Sequence, residues 1–298
     1  MTEQEKLMLG IMGRISNTDA PLVFKGALIT KLILSEHGFE TVARATTDMD
    51  ANWTGSPPSM DYLVNVINQS LGDIQYTYSA QAVREYKTGR SAGVSIVNKN
   101  TDKAIFTMDI SMKPVQGSKL YFFGDIGIRG VLPDEVLADK IAVISSRLLF
   151  RRMKDLVDVY ALSHCVSVRT RAIAEICSAK GREIEGFDAF LNRMPDVEHA
   201  YNRLKDIEGK PAFDSIYSYM REFVKPFSMN ERLNAIWDSD SVSWRYDGPV
   251  HGLDEPPVAS NERPSLQERL RQNKAKAKSQ DSQARDADKR KSKNAPDK

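Results

Sequence analysis

The stretch "RATTDMDANW", Arg44 to Trp53, decides how this chain is read. Asp48 and Asp50 flank one methionine, with small polar residues before them and a tryptophan soon after. Side chains two apart on a β-strand point to the same side. A strand through 48–52 therefore sets both carboxylates on one face and sends Met49 into a core. The bland alternative is a pair of exposed strand or turn acids, because Asp-x-Asp is common. The parts on either side give the pair its weight.

Downstream, "AIFTMDISM" alternates Phe106, Met108, Ile110 and Met112 with Thr107, Asp109 and Ser111. That period of two marks a half-buried strand with a polar face, and Asp109 on that face can complete a trio with Asp48 and Asp50. Three convergent carboxylates repel one another unless a cation lies between them. Hard oxygen donors suit Mg²⁺ or Mn²⁺, which bridge nucleotide phosphates. Upstream, "FKGALITKLILSEHG" has helical spacing and closes at Gly38, with Lys25-Gly26-Ala27 at the helix start. A Gly-small pair there lets backbone N–H groups approach phosphates, aided by the helix dipole.

The rest of the chain supplies the frame. Residues 3–15 have helical spacing, and "MDYLVNVINQSLG" reads as a helix ended by Gly72. Strand-like runs cover Val83–Lys87 and Gly93–Asn98. From Pro133 to about Trp237 the pattern is helical, and "DGPVHGLDEPPVASNERP" opens a linker. The expected fold class is α+β: a small mixed sheet in residues 1–130, an all-helical part over 131–245, and a linker with a disordered basic tail over 246–298.

Composition narrows the function classes. The 298 residues are 41% hydrophobic and 28% charged, as in an ordinary globular protein. No apolar run approaches the roughly 18 residues of a membrane span, and the polar, acidic "MTEQEKLMLG" does not read as a signal peptide. The only cysteines, Cys165 and Cys177, are too few for a disulfide scaffold or a four-thiolate zinc site. A reducing cytoplasm is expected. Residues 269–298 hold eleven Lys/Arg and four Asp/Glu, a net +7, which leaves −5 on the remainder of a chain whose total is +2. A basic tail with no Val, Ile, Leu, Met or aromatic residue after Leu270 can hold a polyanion such as RNA through phosphate contacts, or serve only as a solvated tail.

The ordered set "FKGALITKL", "RATTDMD", "FTMDI", "VLADKIAVI" and "RRMKDLVDVY", spanning residues 23–160, resembles the AbiEii toxin family of nucleotidyltransferases. That family lies within the DNA-polymerase-β-like superfamily. The resemblance implies a nucleotidyltransferase-like domain over 1–130, with metal binding by Asp48, Asp50 and Asp109. It implies a phosphate-binding turn at Gly26-Ala27 and a triphosphate-binding lysine at Lys140. Asp155 and Asp158 fall in the family's last motif, where they orient basic groups or the acceptor; Lys25, Arg44 and Lys154 are supporting positions. Three departures stand out. Ala27 replaces a second Gly or Ser, Lys154 stands where Arg is common, and the step from Gly26 to Asp48 is long.

Other patterns carry less. "GRSAG", Gly89–Gly93, fits a nucleophile elbow, but a strand-like run follows where that motif needs a helix, so a hairpin loop is expected. His37, His164, His199 and His251 lack metal-ligand spacing, and His164-Cys165 reads as packing. No P-loop occurs. Read without the resemblance, Lys140 is a helix-surface lysine paired with Glu135 or Asp139. Asp155 and Asp158 equally suit an ordinary ion-pair network near Arg151 and Lys154.

The expected function is transfer of NMP from an NTP, with Mg²⁺ or Mn²⁺, to an RNA (tRNA among the candidates) or a protein acceptor. The resemblance adds the role of toxin in a toxin–antitoxin or abortive phage-infection system, with a cognate antitoxin as partner and no membrane. The alternatives are an inactive nucleotide-binding or interaction module of the same fold, and a phosphotransferase using the terminal phosphate.

Overall fold

The computed structural model describes residues 1–39, 43–84, 91–205, 207–228 and 234–246. Helix α1, Glu3–Ser16, starts with a capping box: the Thr2 hydroxyl accepts from the Glu5 N–H and the Glu5 carboxylate accepts from the Thr2 N–H. Met8, Leu9, Ile11, Met12 and Ile15 recur at helical spacing and are buried. Strand β1, Leu22–Lys25, runs without a loop into helix α2, Gly26–Glu36. The helical reading of Phe24 and Lys25 is thus corrected. Three consecutive buried apolar residues make a core strand, and Gly26 at φ +76° breaks it before the helix begins.

The short strand β2, Ala43–Arg44, is followed by β3, Asp48–Trp53, and helix α3, Met60–Ser70, capped by the Ser59 hydroxyl. Strands β4, Tyr78–Arg84, β5, Ser91–Asn98, and β6, Lys103–Ser111, form an antiparallel meander. Strands β7, Ser118–Phe123, and β8, Ile126–Val131, form a hairpin. All but β2 join one seven-stranded sheet in the order β4-β5-β6-β3-β1-β8-β7. It is mixed, because β3 is parallel to β6 and β1 to β8, whereas β1 and β3 are antiparallel. Of the expected hairpin loop, Gly89 and Arg90 lie outside the described residues, and Ser91 opens a strand rather than a helix.

Helix α4, Pro133–Ile144, leads through a 3₁₀ turn at Arg147–Arg151 to helix α5, Met153–Ser163. Strand β9, Val168–Arg169, precedes α6, Thr170–Ala179, the one-turn α7, Asp188–Leu191, and α8, Met194–Asn202. Strand β10, Ile207–Glu208, precedes α9, Phe213–Ser228, and strands β11, Ala235–Asp238, and β12, Ser243–Tyr246. The second half is mainly helical, as expected, with short strands added. A three-stranded sheet, β12-β11-β9, sits among the helices, and β10 pairs with β2. Two- and four-residue strands are too short to print a period of two on the sequence.

The described residues, all within 1–246, form one compact unit. Helix α2 lies against β1, β3 and β7 and also against α4 and α5. Its Leu28, Ile29, Leu32 and Ile33 belong to a continuous core that also takes in Leu156, Phe223 and Trp237. His164 caps α5 and stacks between Phe39 and Tyr219, with ring centroids 5.3 and 4.5 Å away. No helix among the described residues is long and apolar enough to cross a membrane. The linker and basic tail from residue 247 lie outside the described residues.

Candidate active site

Strand register builds the site. Lys25 on β1 stands opposite Asp50 on β3, Asp50 beside Asp109 on β6, Asp109 opposite Gly93 on β5, and Gly93 opposite Arg84 on β4. Directly paired residues share a sheet face, so a single row crosses five strands with two acids in the middle and a cation at each end. Asp48, two residues before Asp50, shares that face and is exposed. Its carboxylate accepts a hydrogen bond from the Thr46 hydroxyl at 2.7 Å. Met49 is buried beneath, and on β6 Phe106, Met108 and Ile110 are buried while Thr107, Asp109 and Ser111 are half-buried.

Gly93 gives Arg84 its path. A β-carbon there would lie 3.3 Å from the Arg84 β-carbon, a contact that requires a shift of a few tenths of an ångström. With glycine present, the guanidinium donates to Asp109 Oδ1 at 2.7 Å. Both side chains are half exposed, so the pair is worth at most about 1 kcal/mol.

Gly26 is constrained twice. Its φ of +76° is a conformation that side chains disfavour, and a β-carbon would fall 2.2 Å from Asp50 Oδ2. The start of α2 therefore abuts the Asp50 carboxylate, and no side chain caps that helix. Its first N–H groups, Ala27's among them, have no partner within the helix. Burial raises the Asp50 carboxyl above the ordinary aspartate value; Lys25 and Lys140 oppose this, while Asp48 and Asp109 add to it.

Lys140 is buried on α4, which corrects the surface-helix reading. Its ammonium donates to Asp155 Oδ1 at 3.0 Å and Asp158 Oδ2 at 2.5 Å, both on α5. Asp155 also accepts from Arg152 at 2.9 Å. Glu135 and Asp139, the partners expected for Lys140, hold another lysine instead. Both engage the buried Lys180, at 3.0 and 3.3 Å, and Asp139 also meets Arg182 at 3.1 Å. The acids of the last motif thus hold a lysine from the neighbouring helix, with Arg152 in place of the expected Arg151 or Lys154.

Lys25 donates to Asn52 Oδ1 at 2.6 Å. Burial lowers its ammonium below the ordinary lysine value, against the attraction of Asp139 and Asp50. Asn52 is wholly buried, and its Nδ2 has no hydrogen-bond partner among the described residues. Asn52 follows Asp48 and Asp50 at the same two-residue step, so the alternation that marked the acids marked it too. Arg84 and Gly93 carried no such signal, because they join the site only through strand register.

Of the other expected positions, Ala27 is half-buried in the first turn of α2. Arg44 sits on β2, its backbone paired with Ile207. Lys154 faces a cleft shared with Arg151, Arg193 and Arg203.

Among the described residues, no three of His, Cys, Asp and Glu stand together as a set that would hold a metal ion as arranged. The chemistry of the donors nevertheless fits a hard divalent cation. Asp48 and Asp50 share one strand face, Asp109 adjoins Asp50, and the raised Asp50 carboxyl marks a place that a cation would relieve. Asp109 is turned to Arg84, and that weak, exposed pair is the contact it would exchange.

No curated protein matches the chain. Its fold is similar to MenT4, a nucleotidyltransferase toxin from Mycobacterium tuberculosis H37Rv, at 18% identity and TM-score 0.41, covering 64% of this chain and 66% of that one. It is also similar to an antigenic nucleotidyltransferase-like protein from Paracoccidioides brasiliensis, at 12% identity and TM-score 0.38, covering 66% and 91%. A third similar structure is the antibiotic-resistance factor ANT(2'')-Ia, at 11% identity and TM-score 0.37, covering 67% and 100%. The family "Nucleotidyl transferase AbiEii toxin, Type IV TA system" matches residues 11–247. That match takes in the acidic strand, the glycine at the start of α2 and the lysine clamped between two aspartates, and the chain belongs to the AbiEii nucleotidyl transferase toxin family.

Proposed function

We propose that this toxin transfers a nucleoside monophosphate from an NTP to an RNA acceptor, tRNA among the candidates, through a site centred on Asp48, Asp50 and Asp109. The observation that carries the reading is the cross-strand row that sets Asp50 beside Asp109, against the glycine that opens α2. Asp48 and Asp50 would hold Mg²⁺ or Mn²⁺, with Asp109 as third carboxylate. When bound, such an ion neutralises the triphosphate and the departing pyrophosphate.

The chain's own groups do the positioning. Gly26 lets a phosphate approach the backbone N–H groups at the start of α2, where the helix dipole favours anions. Asp155 and Asp158 fix the Lys140 ammonium in direction, so its field reaches the phosphates at a constant place. Lys25, steadied by Asn52, supports Asp50. The acceptor hydroxyl oxygen then bonds to the α-phosphorus and gives its proton to solvent, as the bond from that phosphorus to the oxygen bridging to the β-phosphate breaks and pyrophosphate leaves. Rate enhancement comes from orientation and preorganised charge. In this reading residues 1–130 carry the nucleotide chemistry, 131–245 supply Lys140 and its clamp, and 246–298 add a basic tail. A cognate antitoxin follows from the family, and the two free, buried cysteines suit a cytoplasmic protein.

One observation favours a second reading, a nucleotide-binding module without turnover: the Lys140 ammonium is already engaged by two buried carboxylates. Incubation of the purified protein with each α-labelled NTP, Mg²⁺ or Mn²⁺ and total RNA separates the two. Label on RNA with the parent, and none with Asp48→Ala/Asp50→Ala, supports transfer. Nucleotide binding with no α-label on RNA or protein refutes it, and γ-label then tests terminal-phosphate transfer.

A further inference from the structure

Beside the Lys140 clamp lies a cleft of about 520 Å³ between the 3₁₀ turn, the start of α5 and helix α8. Arg151 and Lys154 line it from one side, Arg193, His199 and Arg203 from the other. Asp196, the one acid among its described lining residues, is committed to Arg193 at 2.7 Å, and that guanidinium also covers the Phe150 ring at 4.6 Å. Among the described residues Arg151, Lys154 and Arg203 take part in no ion pair.

Residues 1–268 carry a net charge of −5, so acids to neutralise these cations are plentiful. Arg151 and Arg203 are exposed and Lys154 is partly so, which leaves all three cations open to an anion entering the concavity. Their spread over separate elements suits a run of phosphates better than one. Lys154 is followed in the chain by Asp155, which holds Lys140. A strand lying in the cleft is therefore carried by the same helix that orients the lysine.

We propose that this cleft seats the phosphodiester backbone of the acceptor RNA. The assignment rests on the transferase reading for what the RNA does, but not for its binding. Backbone contacts of this kind are read by salt, since each neutralised phosphate releases condensed counterions, with a slope near 0.7 per contact for single strands.

The test uses full-length protein and the double charge reversal Arg151→Glu/Arg203→Glu; both side chains are exposed. Binding of a labelled total RNA pool is titrated at several salt concentrations, beside NTP binding and transfer of α-label. The reversal is expected to weaken RNA binding at least tenfold at low salt and to reduce the salt slope by about 1.4, or two contacts. NTP affinity and the melting temperature should stay as in the parent. Arg151→Gln/Arg203→Gln should move RNA binding the same way by less.

Unchanged RNA affinity and slope overturn the cleft assignment, even where the parent transfers label. Equal weakening for RNA and for polyglutamate also overturns it, in favour of an acidic protein partner. Loss of RNA binding in the reversal, with no label transferred by the parent, upholds the cleft and overturns the transferase reading alone.

Discussion

Replacing Lys140 by methionine tests whether the clamp is as tightly coupled as its geometry requires. Lys140 and Asp158 each expose 8% of the side chain and Asp155 exposes 1%, with contacts of 3.0 and 2.5 Å. Removing one partner of a buried ion pair strands the other charge, at a cost of about 3–5 kcal/mol. Here Asp155 keeps Arg152, so the lower end applies, about 3 kcal/mol. For a unit of this size that lowers the melting temperature by about 6–12 °C. The assay is denaturant unfolding of the parent, Lys140→Met, Asp158→Asn and the double variant. Neutralising both charges should recover much of the loss, with a coupling energy of about 2 kcal/mol. A loss below about 1 kcal/mol for Lys140→Met, or additive single effects, would refute the reasoning.

Gly26→Ala should cost about 1–2 kcal/mol from the positive φ alone, and the displaced Asp50 carboxylate should lower Mn²⁺ affinity at least tenfold by titration calorimetry. Arg84→Ala removes the cation now held on Asp109; Mn²⁺ affinity should rise about fivefold, the equivalent of about 1 kcal/mol, and a weaker affinity would count against that exchange. Glu5→Gln should destabilise by about 2 kcal/mol near pH 7. Burial raises the Glu5 carboxyl, but Lys31 and the N–H groups of Thr2 and Thr46 outweigh it and hold the value below 4.5. A lowered folded value gives stability that is present above the unfolded value and lost as pH falls through the folded one. The gap between parent and variant should therefore close as acid melts pass below about pH 4, and a constant gap would contradict it.

The acidic strand was legible because one period of two does two jobs: Met49, Phe106, Met108 and Ile110 enter the core while the acids stay on the other face. Gly26 was legible too, since a glycine at a helix start has few other uses beside an acidic strand. The hairpin of β7 and β8 was not, because Leu120 and Phe122 are exposed on an edge strand and blur the alternation. Lys140 was read correctly as helical but not as buried. Its cost is offset by two aspartates on the next helix, and spacing within one helix cannot show partners across two. Arg84 and Gly93 join the row through pairings between strands, which spacing within one strand cannot show. Glu5 looked like an ordinary N-terminal acid, yet it caps α1 and accepts from Lys31 at 2.5 Å and from the Thr46 N–H at 3.0 Å, just before the acidic strand.

The measurement that bears most directly on the account is Mn²⁺ binding, followed by electron paramagnetic resonance, with a non-hydrolysable NTP present. The parent should bind the ion in an NTP-dependent way. Asp48→Ala/Asp50→Ala should lose at least a hundredfold in affinity while remaining folded by circular dichroism. Equal Mn²⁺ binding by parent and variant would contradict the claim that this strand face holds the ion.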